Sequence, residues 1–146
     1  MTSNVNAPRG AAAELVHRYC DAVVRQDREQ WGATWAENAA WELGPDRVIE
    51  GRGPIIAHWE ESISSIDVVV QLASNGEVSS TGETTAEGRW YITEHIRRRN
   101  GDLGMLLAWY DDTYVHEGGS WLFASRRLTQ IYRGPPNLTG TWTRPQ

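Results

Sequence analysis

The sequence predicts an α+β domain: a cone-shaped, curved, mixed but mainly antiparallel sheet wrapped around three helices of the N-terminal half and enclosing a pocket. Apolar residues recur at helical spacing before residue 67 and at a period of two from Val68 onward. The second half is punctuated by short turn signals, Ser74-Asn75-Gly76, Ser80-Thr81-Gly82-Glu83, Arg99-Asn100-Gly101-Asp102 and Glu117-Gly118-Gly119-Ser120, which mark a meander of long antiparallel strands. The length, 146 residues, fits one domain with a core that needs neither disulfide nor structural metal.

Residues 1–10 are polar and bounded by Pro and Gly, so a mobile tail is expected, followed by the domain over 11–133. Ala12, Leu15, Val16, Tyr19 and Val23 mark a helix from about 11 to 26. Asp27, with Gln30 three residues on, reads as an N-cap and capping box opening a second helix to about Ala36, with Trp31 and Trp35 on one face. Residues 39–43 and 47–50 read as short strands joined by the turn Gly44-Pro45-Asp46. Pro54 then opens a third helix marked by Ile55, Ile56, Trp59, Ile63 and Ile66. Strands follow at 68–72, 77–80, 84–97, 105–116 and 121–132, and 134–146 form a Pro/Gly-rich tail.

Composition narrows the chemistry. All fourteen basic residues are Arg, which removes Schiff-base lysines, a P-loop lysine and any Lys general base. The single Cys20 excludes an internal disulfide, and His17, His58, His95 and His116 lack metal-ligand spacing, so no metal and no cofactor are expected. A net charge of −5 argues against a nucleic-acid surface. No apolar run reaches the length of a membrane helix and the N-terminus has no apolar signal core, so no membrane partner and a cytoplasmic location are expected. Eight Trp beside one Phe serve either as large core fillers or as the wall of a cavity.

The strand 86–97 carries the sharpest signal. Ala86, Gly88, Trp90, Ile92, Glu94 and Ile96 share its apolar face, and Arg89, Tyr91, Thr93, His95 and Arg97 share the other. That places the Glu94 carboxyl among Trp and Ile side chains, where desolvation raises its pKa into the range of a general acid or base. The competing readings are a strand end turned to solvent or a buried pair with an Arg. Alternation on 105–116 does not say which face looks inward. On the last strand one of Arg126 and Arg127 is expected inside, paired to a carboxylate. His95 reads as a surface residue, and Arg97-Arg98-Arg99 as a solvated hairpin tip.

Ala86-Glu87-Gly88-Arg89-Trp90-Tyr91-Ile92-Thr93-Glu94, Tyr110-Asp111-Asp112-Thr113-Tyr114 and Gly118-Gly119-Ser120-Trp121-Leu122-Phe123 together resemble the SnoaL-like branch of the nuclear transport factor 2-like superfamily. So do Tyr19, Asp27 and Trp31, and Ala39-Ala40-Trp41 before Gly51-Arg52-Gly53-Pro54. The likeness is nearest to the bile acid 7α-dehydratases, with scytalone dehydratases and hexachlorocyclohexane dehydrochlorinases more distant. It implies a cofactor-independent lyase or isomerase acting on a hydrophobic, polycyclic small molecule, and a homo-oligomer, dimer or trimer. It implies Glu94 as the proton-transfer group and Asp27 as a second carboxylate. Gln71 and Tyr19 are the implied polar contacts, and Trp41, Trp90 and Trp109 the apolar wall. Two departures accompany it: Gln71 stands where the family's enzymes place a His, and Ala22 where they place a Tyr or Lys. Gln is no base at neutral pH, so a non-catalytic binding or interaction domain is the second expectation.

Overall fold

The computed structural model describes residues 7–145. Helices α1 (Ala7–Arg25) and α2 (Arg28–Gly32) precede strands β1 (Trp35–Gly44) and β2 (Arg47–Glu50). Helix α3 (Arg52–Ile63) follows, then the meander β3 (Ile66–Ser80), β4 (Thr85–Arg98), β5 (Leu103–Glu117) and β6 (Ser120–Gly134), and a short β7 (Thr141–Trp142). The strands form one curved, unclosed sheet in the order β2-β1-β6-β5-β4-β3, with β7 on β6. Every neighbouring pair is antiparallel except β1 with β6. The expected architecture is the one observed, with α1 lying over β3 on the inner side.

Several elements differ from the expectation for local reasons. Helix α1 begins at Ala7, and residues 1–6 of the expected tail lie outside the described part. Helix α2 stops at Gly32, where a Cβ would collide with Ile56 Cδ1 of α3 at 2.6 Å. Trp35 is therefore a strand residue, yet it meets Trp31 at 5.6 Å as an edge-on pair, so the contact survives without the shared helix face. The two strands expected over 68–80 are one strand, kinked by a register shift between Ala73 and Gly76. Gly76 is required there, because a Cβ would run into the Trp90 indole. In the C-terminal tail, Thr141 and Trp142 pair with Arg133 and Tyr132, and Trp142 covers the Tyr132 ring at 4.7 Å.

The aromatic residues divide between core and wall. Trp31, Trp35, Tyr19, Tyr114 and Phe123 are fully buried, and Trp31 stacks on Trp59 at 4.4 Å with their planes 8° apart. Such a pair adds about 0.5–1.5 kcal/mol beyond its area burial. This cluster ties α2 and α3 to β1 and holds α3 as one wall of the cavity described next.

Candidate active site

Inward-facing positions of β3, β4, β5 and β6 line up in rows across the sheet. The row that matters is Gln71, Glu94, Leu106 and Arg133, each paired in register with the next. Deeper in the cone comes the row Ala73, Ile92, Ala108 and Gln130, then Gly76, Trp90, Tyr110 and Leu128. Alternation on β4 points Glu94 inward and leaves His95 exposed on the other face, as the sequence implied.

A cavity of about 610 Å³ occupies this space. Its walls include Val23, Trp41, Trp59, Val69, Ile92 and Leu128, and its polar side chains include Tyr19, Gln71, Glu94 and Tyr110. Gln71 Nε2 donates to Glu94 Oε2 at 2.7 Å, and Gln71 Oε1 accepts from Cys20 Sγ at 3.4 Å. Both ends of the amide are thus used, which fixes its orientation and holds one carboxylate oxygen. Glu94 Oε1 has no protein partner among the described residues. Burial raises the Glu94 carboxyl above the ordinary carboxylate range, and the Gln71 hydrogen bond and the guanidiniums of Arg133 and Arg98 partly counter it. The Cys20 thiol is likewise pushed up by burial, to about 11, so it serves as a neutral donor.

Tyr110 stands deeper in the cavity. Its hydroxyl accepts from Trp41 Nε1 at 3.3 Å and keeps its own proton to donate. Behind it lies Arg126, fully buried, with its guanidinium 3.9 Å from the Tyr110 ring, 4.2 Å from Phe123 and 4.5 Å from Tyr19. Arg126 donates to both oxygens of Asp112, at 2.7 and 3.2 Å, and Tyr114 donates to Asp112 at 2.9 Å. Burial raises the Tyr110 hydroxyl and Arg126 draws it back, so the phenol stays neutral beside a cation. Arg127 is the solvated member of the two arginines, 3.8 Å from Asp111 on the outer face.

Alternation alone does not single out Tyr110 and Asp112, because both faces of 105–116 are mixed, and it leaves open which of Arg126 and Arg127 enters the core. A register shift between Thr113 and Tyr114 leaves Ala124 unpaired, and this bulge puts Phe123 and Arg126 on the same side of β6.

Three of the expected site residues lie elsewhere. Asp27 is the N-cap of α2: one oxygen accepts from Gln30 N at 3.0 Å and the other from Arg25 at 3.1 Å, and its side chain does not line the cavity. Trp90 points inward but sits below the cavity, where Nε1 donates to the Tyr114 hydroxyl at 2.9 Å. Trp109 faces the outer side: Nε1 donates to Asp111 at 2.9 Å and Arg89 covers its ring at 5.1 Å. Of the Trp wall, Trp41 is in place, and α3 supplies Trp59 instead of the other two.

The model of the SnoaL-like domain matches residues 7–127. The chain belongs to the SnoaL-like family. Solved structures agree at the level of fold. A scytalone dehydratase-like protein of Novosphingobium aromaticivorans superimposes with a TM-score of 0.83 at 20% identity, over 91% of this chain and 90% of that one. The hexachlorocyclohexane dehydrochlorinase LinA type 2 does so with a TM-score of 0.81 at 16% identity, over 95% and 94%. Rv3472 of Mycobacterium tuberculosis, a protein of unknown function solved as a single-residue variant, gives a TM-score of 0.73 at 23% identity, over 84% and 70%. No curated protein matches the chain in sequence. Among the described residues, no helix is long and apolar enough to cross a membrane.

Proposed function

We propose that this SnoaL-like chain is a cofactor-independent lyase or isomerase acting on a hydrophobic, polycyclic small molecule, with Glu94 as its proton-transfer group. The observation that carries the reading is a carboxyl held by Gln71 on one oxygen and, among the described residues, unpartnered on the other, in a cavity whose apolar walls include Trp41, Trp59, Ile92 and Leu128. The family and its dehydratase- and dehydrochlorinase-like neighbours support the reaction class.

In an elimination, Glu94 Oε1 takes the proton from a carbon next to a carbonyl, and the Tyr110 hydroxyl hydrogen-bonds the carbonyl oxygen where charge develops. The C–O bond to the leaving hydroxyl then breaks, the double bond forms, and Glu94 returns its proton so that water departs. Gln71 orients Glu94, while Tyr19, Trp41 and Trp59 shape the space. Asp27 has no part in this set.

The second reading, a non-catalytic binding domain, is favoured by Gln71 standing where the resemblance implies a His. We further propose a homo-oligomer assembled through the outer sheet face, where Val68, Val70 and Leu72 of the edge strand β3 are 45%, 38% and 58% exposed.

The test is a turnover screen of steroid-like and polyketide-like hydroxy ketones, run on the wild type and on Glu94→Gln. Conversion by the wild type and a loss of about 10³-fold or more in a folded Glu94→Gln variant is expected. Equal turnover by the two contradicts the assignment of Glu94, and ligand binding without any conversion supports the second reading.

A further inference from the structure

The cavity mouth is built where β4 and β6 end and β5 begins. Three guanidiniums line it, those of Arg47, Arg98 and Arg133. Elsewhere the described arginines that reach a carboxylate are Arg25, Arg28, Arg89, Arg97, Arg126 and Arg127. None of the three at the mouth has a carboxylate within 4.0 Å among the described residues. Arg98 gives one Nη1 hydrogen bond to Ser65 Oγ at 3.3 Å, and among the described residues no side-chain hydrogen bond engages the guanidinium of Arg133. The other titratable groups at the cavity are Glu94, His58, Asp102, Tyr19 and Tyr110. The Asp102 carboxylate accepts from Asn100 Nδ2 at 3.1 Å within the β4–β5 hairpin.

Arg18, Arg52 and Arg99 also lack a carboxylate partner among the described residues, but Arg47, Arg98 and Arg133 share one opening, in a chain with nineteen acidic residues and a net charge of −5. Three like charges around one opening repel each other, and pairing any of them with an acidic neighbour would relieve that. Below them the apolar side chains of Trp41, Trp59, Ile92 and Leu128 mix with Gln71, Glu94 and Tyr110, and Ile96 separates Arg98 from Glu94 on the same face of β4. Arg133 shares the row of Glu94, two strands away, at about 10 Å between backbones.

We infer that the cavity takes an apolar ring system bearing a carboxylate, which Arg98 and Arg133 hold at the mouth while the rings lie against Trp41 and Trp59. This rests on the proposed function and adds to it the substrate's charge and its direction of insertion. A guanidinium fork matches a carboxylate in two hydrogen bonds, and two forks at one opening fix the end from which the molecule enters. The spacing then sets a carbon several bonds from the carboxylate beside Glu94.

The test uses the full chain and a matched pair of fluorescent probes, 1-pyrenebutyric acid and 1-pyrenebutanol, which differ only in the terminal anion. At neutral pH and low salt the wild type should bind the acid about tenfold more tightly than the alcohol. In Arg98→Gln/Arg133→Gln that preference should vanish, with the affinity for the alcohol changed less than twofold. Arg127→Gln, on the outer face, should keep the preference, and 0.5 M NaCl should shrink it in the wild type. Each single variant is measured as well, so that a double variant that fails to fold still leaves a reading: each should lose about threefold for the acid alone. Equal affinities of wild type for the two probes, or equal losses for both in the arginine variants, overturn the carboxylate inference and leave the proposed cavity function standing. Failure of the wild type to bind either probe overturns both.

Discussion

Gln71 and Glu94 sit directly opposite one another on β3 and β4, and the amide of the first donates to the carboxylate of the second at 2.7 Å. Gln71 also accepts from Cys20 of α1, so helix, edge strand and central strand meet at one fixed carboxyl group. A neutral amide in that position orients Glu94 without taking its proton, which leaves all proton traffic to the carboxyl itself.

Glu94 is costly to the fold. Its carboxyl has a higher pKa in the folded chain, because burial penalises the charged form. The folded state therefore binds the proton more tightly than the unfolded one. That contribution to stability is fully present below the unfolded pKa and is lost as pH rises through the folded pKa. Glu94→Gln removes the penalty and keeps an acceptor for Gln71. Thermal melts should show the variant about 2–4 °C more stable at pH 7.5, the shift that ~1 kcal/mol gives a chain of this size, with the difference shrinking toward pH 4. A variant less stable than wild type by the same margin at every pH would contradict this.

Gln71→Leu removes the hydrogen bond that counters the burial of Glu94. The Glu94 titration midpoint should move further up in this variant, and the pH optimum of any turnover should move with it. An unchanged midpoint would mean that Gln71 does not govern the carboxyl.

Arg126 and Asp112 form a fully buried, two-bond ion pair beneath Tyr110. Arg126→Met strands the Asp112 charge at a cost of about 3–5 kcal/mol, so the melting temperature should fall by roughly 10 °C or more. Arg126→Met/Asp112→Leu should regain a large part of that loss, since a matched apolar pair leaves no stranded charge. A double variant no more stable than the single one would contradict the pairing.

Asp27→Ala deletes the cap of α2 and should cost about 1 kcal/mol in denaturant unfolding. Affinity of the cavity for 1-pyrenebutanol should stay within twofold of wild type. A tenfold loss of affinity at unchanged stability would return Asp27 to the site.

Much of this was legible in the sequence because alternation is reliable on an unbroken strand. Trp90, Ile92 and Glu94 lie on the inner face of β4 as their spacing implied, and Gln71 reaches them because its partner strand keeps register there. The last strand was not legible in the same way. The bulge at Ala124 breaks the parity of β6 and puts Phe123 on the same side as Arg126, so alternation does not choose between Arg126 and Arg127, and on β5 both faces are mixed, so it does not single out Tyr110 or Asp112. Asp27 carried two messages, an N-cap and a family carboxylate; the structure shows the cap, with Gln30 N on one oxygen and Arg25 on the other, and leaves the side chain off the cavity lining. Trp109 faces outward because Asp111 and Arg89 give its indole a polar partner and a cation on that side, which hydrophobicity alone does not reveal. Residues 35–38 joined β1 because Phe123 N bonds Thr34 O and Trp35 pairs with Phe123, a contact nearly ninety residues away in sequence.

The most direct test is a carboxyl-carbon NMR titration of the chain labelled with 13C at the glutamate side chains, with the Glu94 resonance assigned by its absence in Glu94→Gln. If Glu94 is the buried proton-transfer group, its midpoint lies clearly above the ~4.3 of a free glutamate, and it shifts again when a cavity ligand is added. A midpoint at or below ~4.3, insensitive to ligand, would show a solvated or ion-paired carboxylate and would contradict the acid/base role.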